Sequence, residues 1–341
     1  MKKIKWLFVS LFSATLTFAQ GQKVDAVKFF VEEGMIEMTL TTDIPQMQKE
    51  KGEDMFQAAT VKLRFPDSTV IEEPITVAPR GHFRREYCNI PPIMVDFKNP
   101  TSPLLSPLGK LKLVIGCGTN GNDEQLLLKE YLIYKIYNLL EDKSFRVRLV
   151  KLNYSDTRGR VKNFSQFAFL IEDDKDMAVR NNCIKKVKAQ YLTESTDRAL
   201  MTKVAVFEYM ISNGDWSVPA NHNIRLIYDK FNDAALPYAV PYDFDHSGFV
   251  NAGYAVPNEL LGTETVKERA YRGFPRTMDE LQATFEIFKS KRDAINSLIN
   301  NFVPLQARNK KELVSYLDEF YKTINDKRQV QSIFIDNART K

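Results

Sequence analysis

Hydrophobic and polar residues alternate along the first third of the chain, with the two-residue period of half-buried β-strands. Residues 36–40 and 61–65 follow this pattern clearly. Short apolar runs at 93–97 and 110–115 predict two further strands. We therefore expect this part of the chain to be rich in β-structure.

Helical spacing of apolar residues begins after this region. Residues 122–140 are apolar on much of the helical circumference, which predicts a buried helix. The pattern beyond that helix predicts the remaining elements: strands at 146–153 and 167–171, a helix at 197–212, strands at 224–228 and 238–242, and helices over 278–336. The second half of the chain is therefore expected to be mainly helical.

The N-terminus has the three parts of a secretory signal peptide. A basic head precedes a short apolar run at 6–18, and small residues around Ala19 offer a cleavage site. We expect residues 1–19 to be removed on export, which places the protein in the periplasm, outside the cell or at its surface. No later apolar run approaches membrane length, so no stable membrane span is expected.

The charge balance argues against a nucleic-acid partner. The formal net charge of the 341 residues is +5, and loss of Lys2, Lys3 and Lys5 with the signal peptide leaves +2. No stripe of Lys and Arg remains in the mature chain. The expected partner is a protein substrate or a component of the cell envelope.

Three cysteines, Cys88, Cys117 and Cys183, occur without a C-x-x-C spacing. An odd count without that spacing is typical neither of a zinc site nor of a disulfide framework. We interpret these residues as buried apolar side chains. The alternative is that one pair oxidises after export.

Gly116, Gly118 and Gly121 form a G-x-G-x-x-G sequence between a predicted strand and a predicted helix. A dinucleotide-binding fingerprint also needs an acidic residue about 20 positions further on, at the end of the next strand. Here the first acidic residue after that strand is Asp156. We interpret the glycines as a strand-to-helix turn.

Polar residues cluster around the two predicted strands at 224–228 and 238–242. Asp215, Asn221 and Asn223 precede the first strand, and Asp243 and Asp245 follow the second. The two aspartates are two positions apart and point to one face of an extended chain. Their mutual repulsion favours a hard divalent cation such as Mg²⁺ between them.

The order of these residues is that of phosphoryl transfer in protein-kinase-like folds. Lys112 lies on a predicted strand, with Lys110 as an alternative on the same side, and Glu130 lies on the following helix. Asp215 is then the catalytic candidate. The metal candidates follow it: Asn221, Asn223, Asp243 and Asp245.

Several of these segments resemble the CotH-type spore-coat kinase family, over roughly residues 80–290. Arg80-Gly81-His82 is similar to that family's Arg-Gly-Asn element, and the aromatic strand 167–171 followed by Glu172 is similar to another of its motifs. The resemblance implies ATP- and Mg²⁺-dependent phosphorylation of protein Ser or Thr, with Arg80, Lys112, Glu130 and Glu172 around the nucleotide. The chain departs from the pattern at His82, and it has no glycine-rich loop before Lys112.

The expected fold class is α+β, a protein-kinase-like two-lobed fold behind a β-rich N-terminal extension. The extension covers 22–78, a β-rich N-lobe with one main helix covers 79–190, and a helical C-lobe covers 191–341. Two other functions stay open. One is a catalytically inactive kinase fold that serves as a binding protein of the cell envelope. The other is a metal-dependent nucleotide-sugar transferase that uses Asp243-Phe244-Asp245 as a D-x-D motif.

Overall fold

The structure is a computed structural model that describes residues 26–32, 34–50, 52, 55–81, 83–88, 90–118, 121–186 and 190–340. The predicted signal peptide and His82 lie outside the described residues. None of the helices in the described ranges has the length and apolarity needed to cross a membrane.

Within these residues, seven strands close into a mixed β-barrel in the order β1-β2-β3-β4-β5-β7-β6. Their bounds are Ile36–Thr42 (β1), Gln57–Arg64 (β2), Val70–Pro79 (β3), Ile93–Asp96 (β4), Lys110–Ile115 (β5), Val147–Asp156 (β6) and Phe164–Ile171 (β7). Neighbouring strands are antiparallel except for the parallel pair that closes the barrel, in which Ile36 of β1 lies opposite Val150 of β6. Closure leaves neither side of the sheet as an open edge.

The expected two-lobed kinase-like fold with a separate N-terminal extension is wrong. The strands assigned to the extension pair directly with those assigned to the N-lobe, because β3 pairs with β4 and β1 pairs with β6. The apolar residues of both segments fill one barrel interior, where Leu40, Val61 and Leu152 are buried together. These strands therefore form one closed barrel in place of an open N-lobe sheet preceded by an independent unit.

The helices lie outside the barrel or follow it. Their bounds are Ala26–Val31 (α1), Ile44–Lys49 (α2), Phe83–Tyr87 (α3), Gly121–Leu140 (α4), Asp174–Arg180 (α5), Arg198–Ile211 (α6), Met278–Asn301 (α7), Ala307–Asn325 (α8) and Lys327–Val330 (α9), with a short π-helix at Gln331–Asp336. The predicted helices at 122–140 and 197–212 are confirmed within one residue at each end. Helix α5 is not among the predicted helices, and Asp173 is its N-cap.

A small three-stranded sheet precedes the last helices, in the order β10-β9-β8. Its strands are Cys183–Ile184 (β8), Ile224–Asp229 (β9) and Tyr238–Pro241 (β10). Helix α4 packs against the outer face of the barrel on one side and against α7 on the other. The apolar residues of these helices form a second core outside the barrel. Phe169 of β7 belongs to this second core, whereas the next residue, Leu170, faces the barrel interior.

The interpretation of the glycine motif as a turn agrees with the pairing of the strands. Strand β5 enters the turn at Gly116, and α4 begins at Gly121. Strand β7 lies between β5 and β6, and it is antiparallel to both. The parallel βαβ unit of a dinucleotide-binding fold, with two adjacent strands, is therefore not formed here.

Candidate functional site

A cleft of about 220 Å³ lies between the barrel and the helical region. Seven of the residues predicted from the sequence line it: Arg80, Lys112, Glu130, Asp215, Asn223, Asp243 and Asp245. They come from positions spread over more than half of the described chain. The fold brings them together although the predicted fold class was wrong.

The barrel side of the cleft carries cations, and helix α4 carries an acid. Arg80 follows β3, where its N–H donates to the Pro92 carbonyl oxygen at 2.8 Å. Lys112 lies on β5, and its ammonium is 5.1 Å from the centroid of the Tyr242 ring. Glu130 lies on the buried face of α4. Lys112 and Glu130 are not joined by an ion pair among the described residues, because Glu130 faces Arg84 and Arg80 instead.

The two lysines that sequence reasoning left open differ in their surroundings. Lys112 lines the cleft. The Lys110 ammonium lies 4.0 Å from the Asp96 carboxylate and 4.6 Å from the centroid of the Phe56 ring, outside the cleft. The geometry therefore favours Lys112 as the cleft residue.

The loop after α6 holds Asp215 by both carboxylate oxygens. Nε2 of His222 lies 2.8 Å from Oδ1, and Nδ2 of Asn223 donates to Oδ2 at 3.1 Å and to the Asp215 carbonyl oxygen at 2.7 Å. A bridge between Ser217 and His222 closes the loop that carries these partners. Both oxygens of the carboxylate are thus held by side chains of its own loop.

The segment after β10 places Asp243 in an unusual backbone conformation. Its φ is +64°, in the left-handed region that a non-glycine residue seldom adopts. Its N–H donates to the Tyr134 hydroxyl oxygen at 2.9 Å, which fixes the segment against α4. Local backbone strain of this kind is concentrated at functional sites.

Asp245 lies two residues after Asp243, and its carboxylate contacts two other side chains. The Tyr254 hydroxyl donates to its Oδ2 at 2.9 Å, and Nη1 of Arg84 lies 3.8 Å from the same oxygen. Arg84 also donates to the carbonyl oxygen of Ile115 at the end of β5. This arginine therefore bridges the barrel and the acidic segment.

The cleft perturbs its carboxyl groups strongly. Burial, and next the Asp245 charge, raise the pKa of Asp243, while Arg80, Arg84 and Lys112 lower it. Burial and Asp245 also raise the pKa of Glu130 well above its ordinary value. A cation bound beside these carboxyl groups would relieve their repulsion.

The bases of the cleft are perturbed by the same burial. Burial lowers the pKa of Lys112, against the opposing effect of Asp174. Burial also lowers the pKa of Arg80, which Asp243 opposes. A phosphate group would favour the charged forms of both side chains, and guanidinium groups match phosphate oxygens in pairs.

The donor set fits Mg²⁺. Asp243 and Asp245 supply carboxylate oxygens, and the Asn223 amide nitrogen is engaged by Asp215, which leaves the amide oxygen as the ligand atom. No group of three or more His, Cys, Asp or Glu side chains in the described ranges is arranged as a metal site by itself. Mg²⁺ usually takes only one or two protein carboxylates and completes its coordination with water and phosphate oxygens.

Two predicted residues do not line the cleft. Asn221 lies on the same loop as Asn223, with a φ of +51°, and its N–H donates to the Val218 carbonyl oxygen at 3.0 Å. Glu172 is buried against Arg180, with Oε1 and Oε2 accepting hydrogen bonds at 3.0 and 2.9 Å. It follows that Glu172 holds α5 against the end of the barrel.

Replacing Glu172 with Gln is expected to lower the free energy of unfolding by about 3 kcal/mol, because it leaves the buried Arg180 guanidinium without its counter-charge. Chemical denaturation would measure the loss. Asp233→Asn, which breaks the exposed pair with Lys186, is the control and should cost less than about 1 kcal/mol. Equal losses in the two variants would contradict the prediction.

Sequence reasoning missed several residues that shape the cleft. Tyr134 is one helical turn after Glu130, so the spacing on α4 was the available signal. Arg84 follows Arg80 by four positions and also lines the cleft. Tyr254 gave no local signal, because its contact with Asp245 depends on how the segment after β10 folds back.

A disulfide joins Cys88, just after α3, to Cys117, just after β5, with a Cα–Cα distance of 4.8 Å. The interpretation of these two residues as buried apolar thiols is wrong, and the alternative of one oxidised pair is confirmed. Cys183 is a buried free thiol. The Cys88 N–H donates to the carbonyl oxygen of Arg84, so the disulfide anchors the short helix that carries this cleft residue.

Replacing both Cys88 and Cys117 with Ser is expected to lower the free energy of unfolding by about 3–4 kcal/mol, the chain-entropy value for a loop of this length. Denaturant unfolding of wild type and variant would measure it. A reductant should destabilise only the wild type. If it destabilised both equally, another cause would account for the loss.

No known family model matches the chain, and no characterised protein matches it in sequence.

Proposed function

We propose that the protein transfers the γ-phosphoryl group of ATP, with Mg²⁺, to a Ser or Thr hydroxyl of a protein outside the cytoplasm. The observation that carries this proposal is the convergence of Asp215, Asn223 and the Asp243–Asp245 pair with Arg80 and Lys112 in one cleft. The closed barrel is not part of the argument. The resemblance to the CotH-type kinases supports the proposal only through the individual residues.

Each side chain has a role that its position supports. Asp215, oriented by His222 and Asn223, would accept the proton of the acceptor hydroxyl. Arg80 and Lys112 would bind phosphate oxygens. Asp243, Asp245 and Asn223 would hold Mg²⁺, which when bound supplies positive charge to the phosphate oxygens.

The size of the cleft supports separate places for the phosphates and for the acceptor hydroxyl. At about 220 Å³ it is smaller than the roughly 300–1,000 Å³ of most small-molecule sites, so it suits the phosphates better than a whole nucleotide. Asp215 and His246 also line a neighbouring pocket of about 310 Å³. An acceptor hydroxyl would reach Asp215 from that side.

The test is thermal unfolding of the mature protein with and without Mg²⁺-ATP. Ligand at 100 times its dissociation constant stabilises a protein by about 2.7 kcal/mol, which raises the melting temperature measurably. We expect the shift in wild type and in the surface control Asp233→Ala, and its loss in Asp243→Ala. No shift in wild type at millimolar nucleotide would overturn the proposal, and a shift with UDP-sugars alone would favour a nucleotide-sugar transferase.

One observation favours a second candidate, a catalytically inactive binding protein of the cell envelope. Asp245 is paired with Arg84 and Tyr254, and Asp243 faces Arg80, so protein groups already compensate both carboxyl groups. A protein of this kind would capture its partner without binding Mg²⁺-ATP. The melting experiment separates it from the kinase.

A further inference from the structure

Behind the Asp215 loop lies a buried acid that the proposed reaction does not use. Glu208 is in the last turn of α6 and is 1% exposed. Its backbone carbonyl accepts a hydrogen bond from the Asn213 N–H at 2.8 Å, where the chain leaves the helix through Ser212 in a left-handed conformation. The side chain therefore sits at the point where the helix turns into the loop.

The surroundings of Glu208 disfavour a negative charge. Neither carboxyl oxygen has a hydrogen-bond partner of ordinary geometry among the described residues, and the C-terminal end of a helix repels anions. Burial raises the pKa of Glu208 to about 8, with Asp215 acting in the same direction and with Asn213 and Arg272 opposing it. Tyr137 of α4 also faces it: burial raises the pKa of Tyr137, and the charges of Glu141 and then Glu208 raise it further.

Arg272 approaches the same loop from the segment before α7. Its Nη1 donates to the Gly214 carbonyl oxygen, one residue before Asp215. Its guanidinium lies 5.3 Å from the centroid of the Trp216 ring, one residue after Asp215. The charges of Glu208 and Asp215 both act on it, and so does that of Arg339.

We propose that Glu208 and Arg272 are positioning residues for Asp215, with Arg272 fixing the backbone of the loop and Glu208 held behind it as an uncharged carboxylic acid. Ionised Glu208 would compete with the Gly214 carbonyl for the Arg272 guanidinium and would draw the loop away from its resting position. The proposed site would then lose its oriented carboxylate in alkaline solution. The consequence for catalysis rests on the proposed function, but the position of the loop does not.

His222 provides a reporter of that position, because its Nε2 lies 2.8 Å from Oδ1 of Asp215. The chain has only three histidines, so the His222 ring signal in an NMR spectrum can be assigned by its loss in His222→Gln. The protein is observed at pH 7 and pH 9 without nucleotide or metal. Failure of the proposed function therefore leaves this readout intact.

We expect the His222 signal of the wild type to move between pH 7 and pH 9. Glu208→Gln, a neutral side chain of the same shape, should match the wild type at pH 7 and remove the part of the movement that is due to Glu208. Both proteins carry His222, so any change of the signal that does not depend on Glu208 appears in both. Arg272→Gln should displace the signal already at pH 7, and Arg272→Lys should restore it in part.

Arg269→Gln is the matched control, because Arg269 also donates to backbone carbonyls, but to those of Met210 and Tyr316, which lie outside the loop that carries Asp215. It should leave the His222 signal unchanged. Identical movement in Glu208→Gln and wild type would overturn the proposal, as would a wild-type signal in folded Arg272→Gln. If Arg272→Gln does not fold, Glu208→Gln and Arg272→Lys decide the matter.

Discussion

Replacing Asp215 with Asn is expected to reduce phosphoryl transfer by about 10²–10⁴-fold, the usual contribution of a positioned general base. Asn has the same shape as Asp, so the loop should keep its conformation, but the amide cannot accept the proton of the acceptor hydroxyl. The amide oxygen of Asn can keep the hydrogen bond from Nδ2 of Asn223 while its amide nitrogen faces His222, so the Asn223 amide oxygen stays available to Mg²⁺. Binding of Mg²⁺-ATP should therefore persist in the variant.

The measurement is transfer of label from γ-labelled ATP to a mixture of Ser- and Thr-containing peptides, together with release of labelled phosphate to water. Asp233→Asn, at an exposed aspartate that does not line the cleft, is the matched control and should transfer at the wild-type rate. Unchanged transfer in Asp215→Asn would exclude a general-base role. Loss of both transfer and nucleotide binding would assign Asp215 to the binding of metal or phosphate.

Local patterns in the sequence predicted most of the elements, because burial imposes a period of two on strands and of 3.6 on helices. Strand β5 matches its predicted range, 110–115, at both ends. Closure of the barrel could not be predicted in this way. It depends on the pairing of Ile36 with Val150, and the alternation along a strand does not show which distant strand lies beside it.

Most of the predicted site residues lie in one cleft, although the predicted fold class is wrong. Asp215, Asn223 and Asp243 lie in loops next to α6, β9 and β10. Their order along the chain therefore indicated that they could share one site. Glu172 was assigned to the nucleotide from resemblance alone. The structure pairs it with Arg180 on α5, a helix that the sequence pattern did not predict.

Glu208 shows where the periodic pattern gives no information about chemistry. It lies on the buried side of α6 among apolar neighbours, and the pattern at 197–212 predicts a helix equally well with or without it. Only its burial in the folded protein, where neither carboxyl oxygen has an ordinary hydrogen-bond partner among the described residues, shows that the charge is disfavoured. A buried acid of this kind has a measurable consequence for stability.

Glu208 is expected to make the protein less stable as the pH rises from about 4.5 to about 8. Its pKa is raised from 4.5 in the unfolded chain to about 8 in the folded protein, so between these values the folded state holds a proton that the unfolded state lacks. The contribution is therefore complete below pH 4.5 and is lost as the pH rises through 8. A shift of this size corresponds to about 5 kcal/mol.

Denaturant unfolding of wild type and Glu208→Gln at a series of pH values measures this contribution. Gln carries no titrating proton, so the variant should resemble the wild type near pH 5 and exceed it in stability by several kcal/mol at pH 8 and above. The buried carboxyl groups of Glu130 and Asp243 titrate in the same direction, but they are present in both proteins and cancel in the difference. A constant difference in the free energy of unfolding across the whole range would contradict the prediction. It would show that burial does not disfavour the ionised form of Glu208.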